Sequence, residues 1–154
     1  MPVVEWNDDL SVGVAALDRD HKRLIGYLNQ LAEAVGNGHS VRVMGGVLRK
    51  LSDYTNAHFA AEEALMAEAG YPGLEAHRAM HQILAEEVRR FHREYKVDPR
   101  PFVAAELVDF LRDWLVGHIL TVDMLYRPAL AHTRAAEKTA RRSRVSSREP
   151  TLCS

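Results

Sequence analysis

The sequence predicts an all-α protein, an antiparallel up-down-up-down four-helix bundle with an N-terminal arm and a short C-terminal helix. Four stretches carry apolar residues at every third or fourth position, the signature of one helix face. The breaks between them are short and hold glycine or proline. Strand-like alternation is scarce. Helices joined by short connections must run antiparallel to their sequence neighbours.

Residues 1–17 read as an irregular arm, and Asp18 reads as the N-cap of the first helix. The first stripe is Leu17, His21, Leu24, Leu28, Leu31 and Val35, and Gly36 and Gly38 end it. Ser40 can cap the second helix, whose stripe is Val47, Leu51, Tyr54, His58, Glu62 and Leu65. The run Gly70-Tyr71-Pro72-Gly73 breaks it. The third stripe is Leu74, His77, His81, Leu84, Val88, Phe91 and Tyr95. Asp98-Pro99-Arg100-Pro101 follows, with Pro101 suited to a first helical turn. The fourth stripe is Leu107, Leu111, Trp114 and His118, and Pro128 limits any terminal helix. Residues 1–132 are expected to form the bundle. Residues 133–154, rich in Arg and Ser and without apolar periodicity, are expected to be a basic, disordered tail.

The 154 residues are enough for one domain with a real core, and 47% apolar against 27% charged residues is ordinary for a globular chain. A net charge of −1 gives no bias toward nucleic acid. The charge is uneven: residues 133–154 carry +4 and residues 1–132 carry −5. The one cysteine, Cys153, has no partner within the chain, which fits a reducing compartment. No stretch reads as a signal peptide or a membrane span, so a cytoplasmic location is expected.

Six ionisable residues lie on the apolar stripes: His21, His58, Glu62, His77, His81 and His118. Burying an unpaired charge costs several kcal/mol. One core histidine is ordinarily a hydrogen-bonded structural residue, but six such residues on four helices need a shared partner, and a metal supplies it. His58/Glu62 and His77/His81 are i, i+4 pairs, which place two side chains on one helix face. Either pair alone is a weak signal. His118 and Asp123 are spaced i, i+5, which in a regular helix sets them about 140° apart. They can share a metal only where the helix ends or bulges. Gly117 and the β-branched Ile119, Thr121 and Val122 mark where that could happen.

Residues 3 to about 130 resemble the hemerythrin family, specifically its single-domain bacterial members. The resemblance rests on His21, on His58-Phe59-Ala60-Ala61-Glu62-Glu63, on His77-Arg78-Ala79-Met80-His81 and on His118-Ile119-Leu120-Thr121-Val122-Asp123, with their order and separations. Trp6, the Gly70-Tyr71 turn and Asp113-Trp114-Leu115 add to it. It implies two iron ions (Fe2+/Fe3+) joined by an oxo or hydroxo bridge. One iron would take His77, His81 and His118, the other His21 and His58, with Glu62 and Asp123 bridging both. It leaves one coordination position on the two-histidine iron for dioxygen. It places a dry pocket at Leu24, Leu28, Phe59, Trp114, Leu115 and Ile119, residues that are otherwise ordinary core.

The expected function is therefore reversible dioxygen binding for storage, transport or delivery, without catalysis. The alternatives are an oxygen- or nitric-oxide-sensing module and a di-iron peroxidase or reductase. Ferritin-like di-iron enzymes use more carboxylates and Glu-x-x-His pairs, which the inner stripes lack. A zinc site would use four ligands and strand three. His39, His92 and His132 match no ligand position and read as solvated or structural, and Glu63 as a surface charge. The basic tail could meet an acidic protein partner or a membrane surface, but a solvated end is the simpler reading.

Overall fold

The computed structural model describes residues 2–38, 41–99 and 101–131. It is helical throughout: a 3-10 turn at Asp8–Leu10, α1 at Ala15–Gly36, α2 at Val41–Glu68, α3 at Leu74–Val97, α4 at Pro101–His118, a π-helical turn at Ile119–Asp123, and α5 at Met124–Leu130. Helix α1 packs on α2 and α4, and α3 also packs on α2 and α4, which closes the four-helix ring. The expected bundle, arm and terminal helix are all present. No helix among the described residues is long and apolar enough to cross a membrane. The expected cap at Ser40, the readings of His39 and His132, and the tail 133–154 lie outside the described residues.

The arm is fastened to the bundle. Asn29 on α1 accepts hydrogen bonds from the Val3 and Val4 amides at 3.0 and 3.1 Å and donates to the Val4 carbonyl at 2.9 Å. Val4, Leu10, Val12 and Val14 are buried. Asp18 is not the N-cap. Helix α1 starts one turn earlier, after Val14, and the Asp18 carboxylate accepts from the Ser11 hydroxyl at 2.6 Å and the Val12 amide at 2.9 Å. An acidic side chain in the first turn suits the helix dipole, and here it also fixes the arm's entry.

The α2–α3 connection closes as a Schellman turn. The Tyr71 amide bonds to the Met66 carbonyl at 3.0 Å and the Gly70 amide to the Ala67 carbonyl at 3.1 Å. Gly70 has φ +65°, the left-handed conformation this turn requires. The α2 stripe sits about one residue off the expected line. Leu48, Leu51, Thr55, His58, Phe59, Glu62 and Met66 are buried, while Val47, Tyr54 and Leu65 lie at the edge. Helix α2 touches both α1 and α3, so its inner face is wider than one stripe. On α3 the expected line holds from His77 to Tyr95.

Two apolar clusters result. The larger includes Leu24, Leu28, Leu51, Phe59, Leu84, Leu111 and Leu115, and the smaller joins Val12, Val14, Leu17, Met66, Tyr126 and Leu130. Each fully buried Leu or Val contributes about 1.5–3 kcal/mol. The ionisable residues fall between the clusters: His21 between Leu17 and Leu24, Glu62 between Phe59 and Met66, and His118 and Asp123 between Leu115 and Tyr126.

Candidate metal centre

Seven side chains converge in this polar layer, from all four helices and the π-turn. Glu62, Asp123, His21, His77, His81, His58 and His118 are each 6% exposed or less. The two i, i+4 pairs project from single faces of α2 and α3. The His118/Asp123 pair is brought together by the π-turn. The Met124 amide reaches the Ile119 carbonyl five residues back, while the Thr121 hydroxyl takes the Gly117 carbonyl at 2.6 Å. One extra residue in the turn rotates Asp123 back onto the face that carries His118.

Both carboxylates have one oxygen toward each histidine group. Glu62 Oε1 lies 2.8 Å from His77 Nε2 and 3.3 Å from His81 Nε2. Glu62 Oε2 lies 2.8 Å from His58 Nε2 and 3.5 Å from His21 Nε2. Asp123 Oδ1 lies 3.1 Å from His77 Nε2 and 2.9 Å from His118 Nε2, and its Oδ2 lies 3.2 Å from His21 Nε2. The donor atoms form two groups, Glu62/His77/His81/His118/Asp123 and His21/His58/Glu62, each within 4.8 Å. Glu62 belongs to both.

The layer fits metal ions better than it fits itself. Despite these short separations, His21 Nε2, His81 Nε2, both Glu62 oxygens and Asp123 Oδ1 are buried without a well-aligned hydrogen bond. Such groups cost about 1–3 kcal/mol each if left so. His77 Nε2 and His118 Nε2 face each other at 3.1 Å. Two imidazole nitrogens bound at right angles to one ion, at about 2.1 Å each, would be about 3 Å apart. The set of imidazole nitrogens and carboxylates suits a first-row transition metal.

Without a metal, the two carboxylates draw protons onto the histidines. Burial pushes the His21 imidazole down, but Asp123 and Glu62 outweigh it and hold its pKa up at about 9. His77, also opposed by burial, is held at about 9 by Asp123 and Glu62. Burial raises Glu62, yet the surrounding histidines hold it well below its ordinary range. Burial and the Glu62 charge raise Asp123, and His118, His21 and His77 bring it down to about 2. Burial, with the charges of His77 and His118, lowers His81 despite Glu62.

The outer faces of the histidines differ. His58 Nδ1 is 2.9 Å from Asp20 Oδ2, and the Tyr54 hydroxyl donates to Asp20 Oδ1 at 3.0 Å. His81 Nδ1 lies 3.7 Å from Glu63, which Arg78 holds at 3.0 Å. Phe59 stacks on His81 with centroids 3.8 Å apart, and Trp114 on His118 at 4.3 Å. Tyr126 is fully buried, its ring 5.6 Å from His77 and its hydroxyl without a hydrogen-bond partner. Burial and the charges of Glu62 and Asp123 push that phenol up.

A small apolar cavity of about 20 Å³ lies beside the layer, lined by Leu24, Leu28, Phe59, Trp114 and Leu115 together with Leu51, Thr55, Leu84, Val88 and Leu111. That is room for roughly one water-sized molecule. Ile119, expected in the pocket, is buried in the core but does not line this cavity.

Glu63 is not a free surface charge. It is half-buried between His81 and Arg78. His92 stands outside the layer, half-buried, and burial with the nearby Lys96 and Arg49 lowers its pKa. The sequence reading missed Asp20, Thr55 and Tyr126. Tyr126 alone had a local hint, lying three residues after Asp123, and its contact with His77 did not.

Comparison with known proteins agrees with this geometry. Residues 12–130 match the family described as the hemerythrin HHE cation binding domain. The bacteriohemerythrin of Stenotrophomonas maltophilia is 36% identical over 126 residues, covering 82% of this chain and 80% of that protein. That of Methylococcus capsulatus is 32% identical over 137 residues, covering 85% of this chain and 99% of its own. A crystal structure of wild-type hemerythrin superposes with a TM-score of 0.76 at 29% identity, over 84% of this chain and 98% of the other.

Proposed function

The chain belongs to the hemerythrin family, and we propose on that premise that it binds dioxygen reversibly at a buried di-iron centre, for storage, transport or delivery. One observation carries the reading: Glu62 and Asp123 each turn one oxygen to the three-histidine group and the other to the two-histidine group. Only a pair of ions uses both oxygens of both residues.

In this reading His77, His81 and His118 would hold one iron and His21 and His58 the other, with Glu62 and Asp123 shared between them. When bound, such a pair would supply the electrons for reversible binding of dioxygen. The protein's part is positional and dielectric. The π-turn delivers Asp123, and Asp20 orients His58. The apolar wall of Leu24, Leu28, Phe59, Trp114 and Leu115 keeps out the water that would displace a bound ligand. The predominance of imidazole over carboxylate favours reversible binding over oxygen activation.

The test is spectroscopic. The iron-loaded protein, reduced without air, is expected to gain a visible absorption band on exposure to oxygen and to lose it when oxygen is removed. Irreversible conversion to the ferric form would overturn carriage in favour of a sensor or an oxidase.

A further inference from the structure

The only outer histidine nitrogen of the layer with a hydrogen bond to a side chain, among the described residues, is His58 Nδ1. Its partner Asp20 is half-exposed and also accepts from Tyr54. Two hydrogen bonds therefore connect the cluster to the surface, and they emerge in a cleft of about 560 Å³ lined by Ala16, Arg19, Asp20, Lys22, Arg23 and Tyr54.

The charge of this cleft runs against that of the body; a second cationic cleft, lined by Arg42, Arg49 and Lys96, shares no residue with it. Residues 1–132 carry −5 overall. On α3, by contrast, Arg78, Arg89, Arg90 and Arg93 are all tied to glutamates. Arg19, Lys22 and Arg23 are exposed, and none has an ion-pair partner among the described residues. At positions i, i+3 and i+4 they share one face of α1. Two are steadied by rings rather than acids: Lys22 Nζ lies 4.9 Å from the Trp6 ring centroid and Arg23 Cζ 5.5 Å from that of Tyr54. A ring contact holds the side chain in place and leaves its charge available to a partner.

We infer that this face of α1 is where electrons enter, and that it docks an acidic one-electron carrier protein over the Asp20–His58 connection. The inference rests on the di-iron reading above. An oxygen-binding iron pair that slips to the diferric state must be reduced again to be of use. Each docking passes one electron from the reduced carrier through His58 to a ferric ion, and the carrier leaves oxidised by one electron. Two dockings return both irons to the ferrous state, and one proton from water converts the oxo bridge to hydroxo. Opposite charge steers such encounters and fixes their orientation.

The test uses the full iron-loaded chain, with iron content measured first, and a plant-type [2Fe–2S] ferredoxin as the acidic probe. Oxidised ferredoxin is titrated onto the diferric protein to measure binding, and reduced ferredoxin is mixed with it to measure the reduction rate. The variant R19E/K22E/R23E should lose detectable binding and be reduced about 100-fold more slowly at low salt, the difference shrinking as salt rises. The variant R42E/R49E/K96E, with the same change in net charge at a different cleft, should behave as wild type. Hydroquinone, a small uncharged reductant, should reduce all three alike. Equal rates for all three proteins with ferredoxin, equal losses in both variants, or lost binding with an unchanged reduction rate would each overturn the proposal. A wild-type chain that loads no iron would instead overturn the di-iron reading beneath it.

Discussion

On the α3–α4 side of the polar layer, the Nδ1 atoms of His77 and His118 have no hydrogen-bond partner among the described residues, and aromatic rings stack on His81 and His118. On the α1–α2 side, His58 is hydrogen-bonded to Asp20, and Asp20 reaches a cationic cleft at the surface. The same residue type thus stands in two settings: His77 and His118 have only packing behind them, whereas His58 has a hydrogen bond that leads to the surface. The difference teaches that identical imidazoles are set apart by what stands behind them.

The largest effect is expected where the halves are joined. Glu62→Ala or Asp123→Ala removes an anion shared by both groups and leaves the histidines facing one another. Elemental analysis should find iron well below the two per chain expected of the wild type, and the melting temperature should fall. Ligand present at about 100 times its Kd stabilises a fold by about 2.7 kcal/mol, which the variants would forfeit. Retention of full iron by Asp123→Ala would show that the π-turn does not deliver a ligand.

The next effect separates the halves. Asp20→Asn keeps the shape but weakens the anchor of His58. Loss of such an outer partner typically costs about 10–100-fold in metal affinity. One iron should become labile to chelator while the other stays. Glu63→Gln should do less, because its carboxylate is 3.7 Å from His81 and is already held by Arg78. Equal iron loss in both variants would erase the distinction.

A smaller, graded effect should follow pH. In the metal-free protein His21 and His77, raised from 6.5 to about 9, stabilise the fold fully below pH 6.5 and lose that contribution as pH rises through 9. Asp123, lowered from 3.8 to about 2, contributes above 3.8 and loses its part as pH falls through 2. Iron bound by these histidines as proposed would have to displace their protons, so its apparent affinity should rise from pH 6.5 toward 9 with proton release. The melting temperature of the metal-free protein should fall over that same interval. A flat affinity across it would show that these imidazoles are not ligands.

The smallest effect is expected from the tail. A chain ending at His132 should match the full chain in iron content, melting temperature and oxygen-dependent spectrum. A large fall in any of them would place part of residues 133–154 on the bundle.

The sequence by itself determined the bundle and most of the layer. Helical periodicity fixes which side chains share a face, and His21, His58, Glu62, His77, His81 and His118 lie on apolar faces where ions need a reason to be. It also named the obstacle at Asp123, since a regular helix cannot turn that residue toward His118. Only the tertiary structure decided the rest. Gly117 and the β-branched Ile119, Thr121 and Val122 marked where the helix could bulge, but that it does so as a π-turn, with the Met124 amide on the Ile119 carbonyl, is seen only in the structure. The role of Asp18 depends on where the arm crosses α1. Asp20, Thr55 and Tyr126 depend on distances between helices that are far apart in the chain. Spacing along one helix is local geometry and can be read from the sequence, whereas the partner across a helix interface is chosen by packing, which becomes visible only once the helices are set against one another.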